Sequence, residues 1–207
     1  MKKAIFTLLL LSIFFLLSCD KKDELTPEFA LDPHDELSAE EYLVYSASLE
    51  RMSIKHLIIN QKTSVYTPPK DHFELFFSLE KMKNMEPGLF DLYLQANQSS
   101  YLLDEKIEVA TAETKLMSNE EYAYYFERED SYKGWDLFKT KYPESNSTFV
   151  SLNNIGFNED KTQAMLGIEL FWFMESPEGP TLKAAGLHYL EKKEGVWTTI
   201  GITSYPF

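Results

Sequence analysis

The last third of the chain carries four apolar runs, residues 148–157, 163–174, 182–190 and 196–203. The breaks between them are rich in Asn, Asp, Gly, Pro and Lys and too short to hold a crossover helix. Neighbouring runs are therefore expected to pair antiparallel. In the second run Ala164, Leu166, Ile168, Leu170, Trp172 and Met174 alternate onto one apolar face. The other face starts polar at Gln163 and ends apolar at Phe171 and Phe173. One face of the sheet is thus expected to be fully covered, with Trp172 in the core, and the other only partly.

Upstream the period changes. Ser38-Ala39-Glu40-Glu41 has the form of a capping box, with Leu37 and Tyr42 placed as a hydrophobic staple. Tyr42, Tyr45, Leu49 and Met52 then mark one face of a helix ending near Ser53. Leu57-Ile58-Ile59 reads as a short buried strand. Residues 73–85 fit strand and helix equally well. Pro87 suits the first helical position of a helix over 87–97, and Ile107 and Val109 begin a strand over 106–116. A second capping box at Ser118 opens a short helix, and residues 134–141 form another that stops ahead of Pro143. The predicted class is α+β: a C-terminal four-stranded antiparallel meander with N-terminal helices and short strands packed on it.

The first 18 residues have a different character. Met1-Lys2-Lys3 is a basic start and residues 4–17 are almost wholly apolar, a length that suits a secretory leader and falls short of a membrane span. Leu16-Leu17-Ser18-Cys19 follows, with the only cysteine of the 207 residues. This resembles the lipobox of bacterial lipoproteins, which implies diacylglycerol on Cys19 and, with further acylation, stable anchoring. Residues 1–18 are then a signal peptide, 19–36 an acylated cysteine and flexible tether, and 37–207 one globular domain. The acidic stretch after Cys19 resembles the surface-export signal of lipoproteins in the Bacteroidetes, while Asp20 directly after the cysteine resembles a signal for inner-membrane retention elsewhere. The expected location is the cell envelope, at the outer membrane.

Loss of residues 1–18 removes Lys2 and Lys3, which leaves 18 basic against 33 acidic residues and a net charge of −15. Nucleic acid as a partner is excluded by the missing basic footprint. The partners expected are the membrane, through the lipid, and an envelope protein or glycan.

An ordered set of short motifs carries a further resemblance. Gly134-Trp135-Asp136-Leu137-Phe138, Tyr142-Pro143-Glu144-Ser145, Ser151, Gly156-Phe157, Thr162-Gln163-Ala164 and Gly186…Leu190…Gly195-Val196-Trp197 occur in that order. Together they resemble an uncharacterised family of bacterial secreted and lipid-anchored proteins. The resemblance implies a fold pattern and a location, and no catalytic residue.

Few residues point to chemistry. No nucleophile elbow, glycine-rich phosphate loop or ligand-spaced histidine pair is present, so no catalytic residue, cofactor or metal is expected. Two candidate constellations stand out. Tyr122, Tyr124 and Tyr125 crowd one short helix close to Trp135, which is either core or a stacking platform for a ligand. His188 lies mid-strand, with Glu169 on the adjoining run as a possible acid–base partner or a structural hydrogen bond. The leading functional reading is a lipid-anchored binding, accessory or structural module. The alternative is an envelope hydrolase using His188 and Glu169 in a cleft over the sheet.

Overall fold

The computed structural model describes residues 27–65, 67, 74–175 and 181–206. The leader, Cys19 and His72 lie outside them. One mixed, mostly antiparallel sheet runs through the structure. Its strands are β1 (His56–Asn60), β2 (Glu113–Met117), β3 (Thr148–Leu152), β4 (Gly156–Phe157), β5 (Gln163–Phe173), β6 (Thr181–Lys193) and β7 (Val196–Pro206). They are ordered β2-β1-β3-β5-β6-β7, with β4 also paired to β5.

The expected meander is present but is not the whole sheet. β3, β5, β6 and β7 pair antiparallel in succession. The β6–β7 hairpin closes through Glu194 and Gly195, both at positive φ, as a two-residue turn requires. The first apolar run, expected as one strand, is split. Asn153, Asn154 and Ile155 bulge out between β3 and β4, and the Asn153 backbone N–H still donates to Gly167 O at 2.9 Å. The short upstream strands do not pack on the meander: β1 pairs parallel with β3 and with β2, extending the same sheet. Parallel neighbours need long crossovers, and the segments between these strands are long enough to supply them.

Helices cover both faces. α1 (Ala39–Leu49) begins with the full capping box, Ser38 N–H donating to Glu41 Oε2 at 2.7 Å and Glu41 N–H to Ser38 Oγ at 3.4 Å. Its apolar side, with Tyr42, Tyr45 and Leu49, seals one face over Ala164, Leu166, Ile168 and Leu190. The opposite face is capped twice. The short α2 (Glu74–Phe77), a 3-10 turn at Glu80–Met82 and α3 (Leu89–Ala96) cover Met165, Leu187 and Tyr189. α4 (Asn119–Phe126) and α5 (Ser131–Lys141) cover Ile58, Met117 and Phe149 with an aromatic cluster.

Several expected boundaries move, each for a local reason. α3 starts at Leu89 rather than Pro87, because Gly88 at φ 94° forms its N-cap. The strand expected over 106–116 keeps only its end as β2, since residues 109–112 fold into a turn bridged from Val109 to Ala112. α5 starts three residues early, capped by Asp130 accepting from Lys133 N–H at 3.0 Å. At α4 the Ser118 hydroxyl accepts from Glu121 N–H, but the Glu121 carboxylate turns inward to accept from Tyr142 and Tyr125 at 2.6 and 3.3 Å. Trp172, expected in the core, is only half-buried, because α1 covers β5 at its Ala164 end and not its Phe173 end.

The expected tether is docked from Phe29 onward. The Gln61 side-chain amide accepts from Asp32 N–H at 2.9 Å and donates to Asp32 O at 2.8 Å, so it pairs this strap as a neighbouring strand would. Asp32 Oδ2 accepts from Asn119 N–H at 3.1 Å, Asp35 pairs with the Leu102 backbone, and the Phe29 ring lies 5.3 Å from that of Tyr124. Composition alone reads such a segment as flexible because its partners are distant in sequence.

Candidate functional site

Beside α4 a gap leaves the second sheet face partly uncovered. Strand alternation makes its floor: Ser151, Glu169 and Ala185 lie side by side on β3, β5 and β6, with Phe171 and Lys183 next along. Asn60, at the end of β1, adjoins Ser151 and donates to its hydroxyl at 3.4 Å. The walls are residues 62–64 on one side and, on the other, α4 with Asn119, Glu120, Tyr122 and Ala123 and its C-cap Glu127. The cavity is open to solvent and has a volume of about 730 Å³, large enough for a small organic molecule.

Charge sits at the bottom of this gap. Glu169 is 4% exposed. Its Oε1 is 2.5 Å from Lys183 Nζ and receives no other donor among the described residues. Lys183 Nζ also stands 5.2 Å from the centroid of the Phe171 ring, in cation–π geometry. That ring is fixed from behind by Phe149, stacked at 4.6 Å and 4°. Asn60 Oδ1 is likewise buried with no donor among the described residues. Burial, then the Glu127 and Glu169 carboxylates, push the Tyr122 hydroxyl above its usual range, so it stays protonated and can donate.

The candidate residues separate into three environments. Tyr122 and Glu169 come together in the cavity. Tyr125 and Trp135 are fully buried in the aromatic cluster, and Trp135 Nε1 donates to Thr181 Oγ1 at 2.7 Å. Tyr124 is half-buried between Phe29 and Arg128. These four residues therefore do not form a shared stacking platform. His188 takes no part either: it pairs with Leu166 and Ile202, whereas Glu169 pairs with Ala185, so the two leave the sheet on opposite faces. The expected acid–base pair is not assembled. His188 is 5% exposed on the α1 side, and burial, with a smaller contribution from the Arg51 charge, lowers its pKa to about 4.

Asn60 and Lys183 were not singled out from the sequence, and Ser151 only as one member of the ordered motif set. The signal that could have led to them is Glu169, the only charged side chain within the apolar run 164–174. A charge there needs a partner on a neighbouring strand.

Elsewhere, a groove of about 550 Å³ lies between α1 and the β6–β7 hairpin, bordered by Leu43 and Val196. Glu40 reaches across its end to Lys192 Nζ at 2.7 Å and to the Trp197 indole N–H. His56 Nδ1 lies 3.3 Å from Glu113 and 3.4 Å from Glu144. Among the described residues no three His, Cys, Asp or Glu side chains are grouped to hold a metal ion, and no helix is long and apolar enough to cross a membrane. No family model matches the chain, and no curated protein is detectably similar to it.

Proposed function

We propose that this protein is a lipid-anchored module of the bacterial cell envelope, held at the outer membrane through Cys19, that binds a small polar ligand in the cavity over Glu169. The finer fold description belongs to the same reading: an α+β domain organised on its C-terminal meander, whose uncovered stretch of sheet face serves as the binding floor. The leader and lipobox support the location. The observation that carries the binding role is a buried carboxylate at the bottom of an open polar cavity of about 730 Å³ between α4 and residues 62–64. Desolvating a carboxylate is costly, and a floor built only for stability would be cheaper if apolar. Among the described residues the cavity brings together no nucleophile–base–orienter set, so binding rather than turnover is the role proposed.

The test is thermal stabilisation of the full-length protein, in non-ionic detergent, by a panel of amino acids, sugars and short envelope peptides. At least one class should raise the unfolding midpoint of the wild type and lose its effect in Ser151→Leu, which fills the floor. A panel in which no member shifts the wild type, or shifts both proteins equally, would remove the binding role.

A further inference from the structure

We infer that the group this cavity takes is an organic ammonium, with Glu169 as its counter-ion and the Tyr122 ring as its apolar wall. The inference rests on the cavity being a ligand site, as proposed above, and adds the chemistry of what fills it.

The floor presents acceptors in excess of donors. A carboxylate can accept about four hydrogen bonds. Glu169 has one ion partner, and its Oε1 is reached by no other donor among the described residues. Asn60 Oδ1 is a second buried acceptor without a donor, and its amide nitrogen is already turned to Ser151 Oγ. A ligand rich in N–H groups satisfies both, while a ligand rich in acceptors satisfies neither.

Charge points the same way. Glu120, Glu127 and Glu169 face the cavity against Lys62 and Lys183, so the lining carries one negative charge in surplus. A cation is drawn in and an anion repelled. The protein itself shows the binding mode: the Lys183 ammonium rests between the Glu169 carboxylate and the face of Phe171. A ligand ammonium entering from the Glu127 side meets the same carboxylate and the Tyr122 ring. A neutral polyol offers hydrogen bonds but no charge to answer the surplus negative charge of the lining.

Three probes of one length and different end groups decide the matter: 1,5-diaminopentane, 1,5-pentanediol and glutarate. Binding is measured calorimetrically on the full-length protein in non-ionic detergent. The diamine should bind at least about tenfold more tightly than the diol, and glutarate should not bind. Glu169→Gln should weaken the diamine about tenfold or more. Because that substitution touches a buried position, Glu127→Lys at the exposed rim gives an independent reading and should also weaken it, as should added salt. Diamine binding no tighter than the diol, or unchanged in both variants, overturns the inference. If the diol or glutarate binds instead and Ser151→Leu abolishes it, the ammonium assignment falls while the cavity remains a ligand site. If none of the three binds, the ammonium assignment also falls, and the broader panel decides the cavity separately.

Discussion

Glu169 and His188 stand on adjacent strands, but the β5–β6 register sends their side chains to opposite faces of the sheet. Each is buried, and each is buried differently. Glu169 faces a polar cavity and is ion-paired, whereas His188 faces apolar side chains beneath α1, and its Nδ1 has no hydrogen-bond partner among the described residues.

A pH dependence follows for His188. Its folded pKa is about 4, against about 6.5 when unfolded, so between these values the unfolded chain binds more protons. Stability from a neutral buried His188 is fully present above about pH 6.5 and declines as pH falls toward 4, by about 3 kcal/mol at most. Comparing urea midpoints of wild type and His188→Gln at pH 7 and pH 5 isolates this share. The wild type should lose more stability on acidification than the variant, and parallel losses would show that His188 does not titrate as described.

Trp135 and Trp172 should respond unequally to truncation. Trp135 is fully buried among Phe126, Phe138 and Phe149, while Trp172 is half-buried at the uncovered end of β5. Trp135→Ala should cost about 3–5 kcal/mol, and Trp172→Ala about half that or less. Chemical denaturation of the two variants ranks them directly. A larger loss for Trp172→Ala would mean that the covered end of the sheet has been misplaced.

The docked strap should contribute measurably to stability. Asp32 Oδ2 accepts the Asn119 N–H at the start of α4, a helix that walls the cavity. Asp32→Ala should therefore destabilise by about 1 kcal/mol, as loss of a capping acceptor does. Amide exchange supplies a local readout: protection should fall at Asn119 and Glu120 while α1 is unaffected. Unchanged exchange there would show that the strap is not held through Asp32.

Cys19 is expected to carry the lipid. Metabolic labelling with an alkyne fatty acid should mark the wild type and leave Cys19→Ala unmarked, with the unmarked protein recovered in the soluble fraction. Equal labelling of both would rule out this anchor.

Features set by near neighbours were legible in the sequence. The Ser38 capping box, the left-handed Gly195 and the antiparallel succession of β3, β5, β6 and β7 each depend on residues a few positions apart or on breaks too short for alternatives. Glycine placement belongs partly with these. A glycine within a strand suggested a close approach, and at Gly156 a Cβ would fall inside the backbone of Tyr93 on α3. The sequence could not say which element would make that approach.

Tertiary structure alone decided the rest, because the deciding contacts join residues far apart in the chain. The parallel pairing of β1 with β3 unites residues about ninety positions apart, and no local period encodes it. The strap reads as a tether by composition and becomes structure only when the Gln61 amide supplies the partners that its backbone lacks. The cavity is the clearest case. Asn60, Ser151, Glu169 and Lys183 come from four strands and meet only through strand order and register. Since the side-chain period of a strand is two, a slip of one residue between β5 and β6 would have moved His188 onto the acid's face of the sheet and taken Lys183 off it.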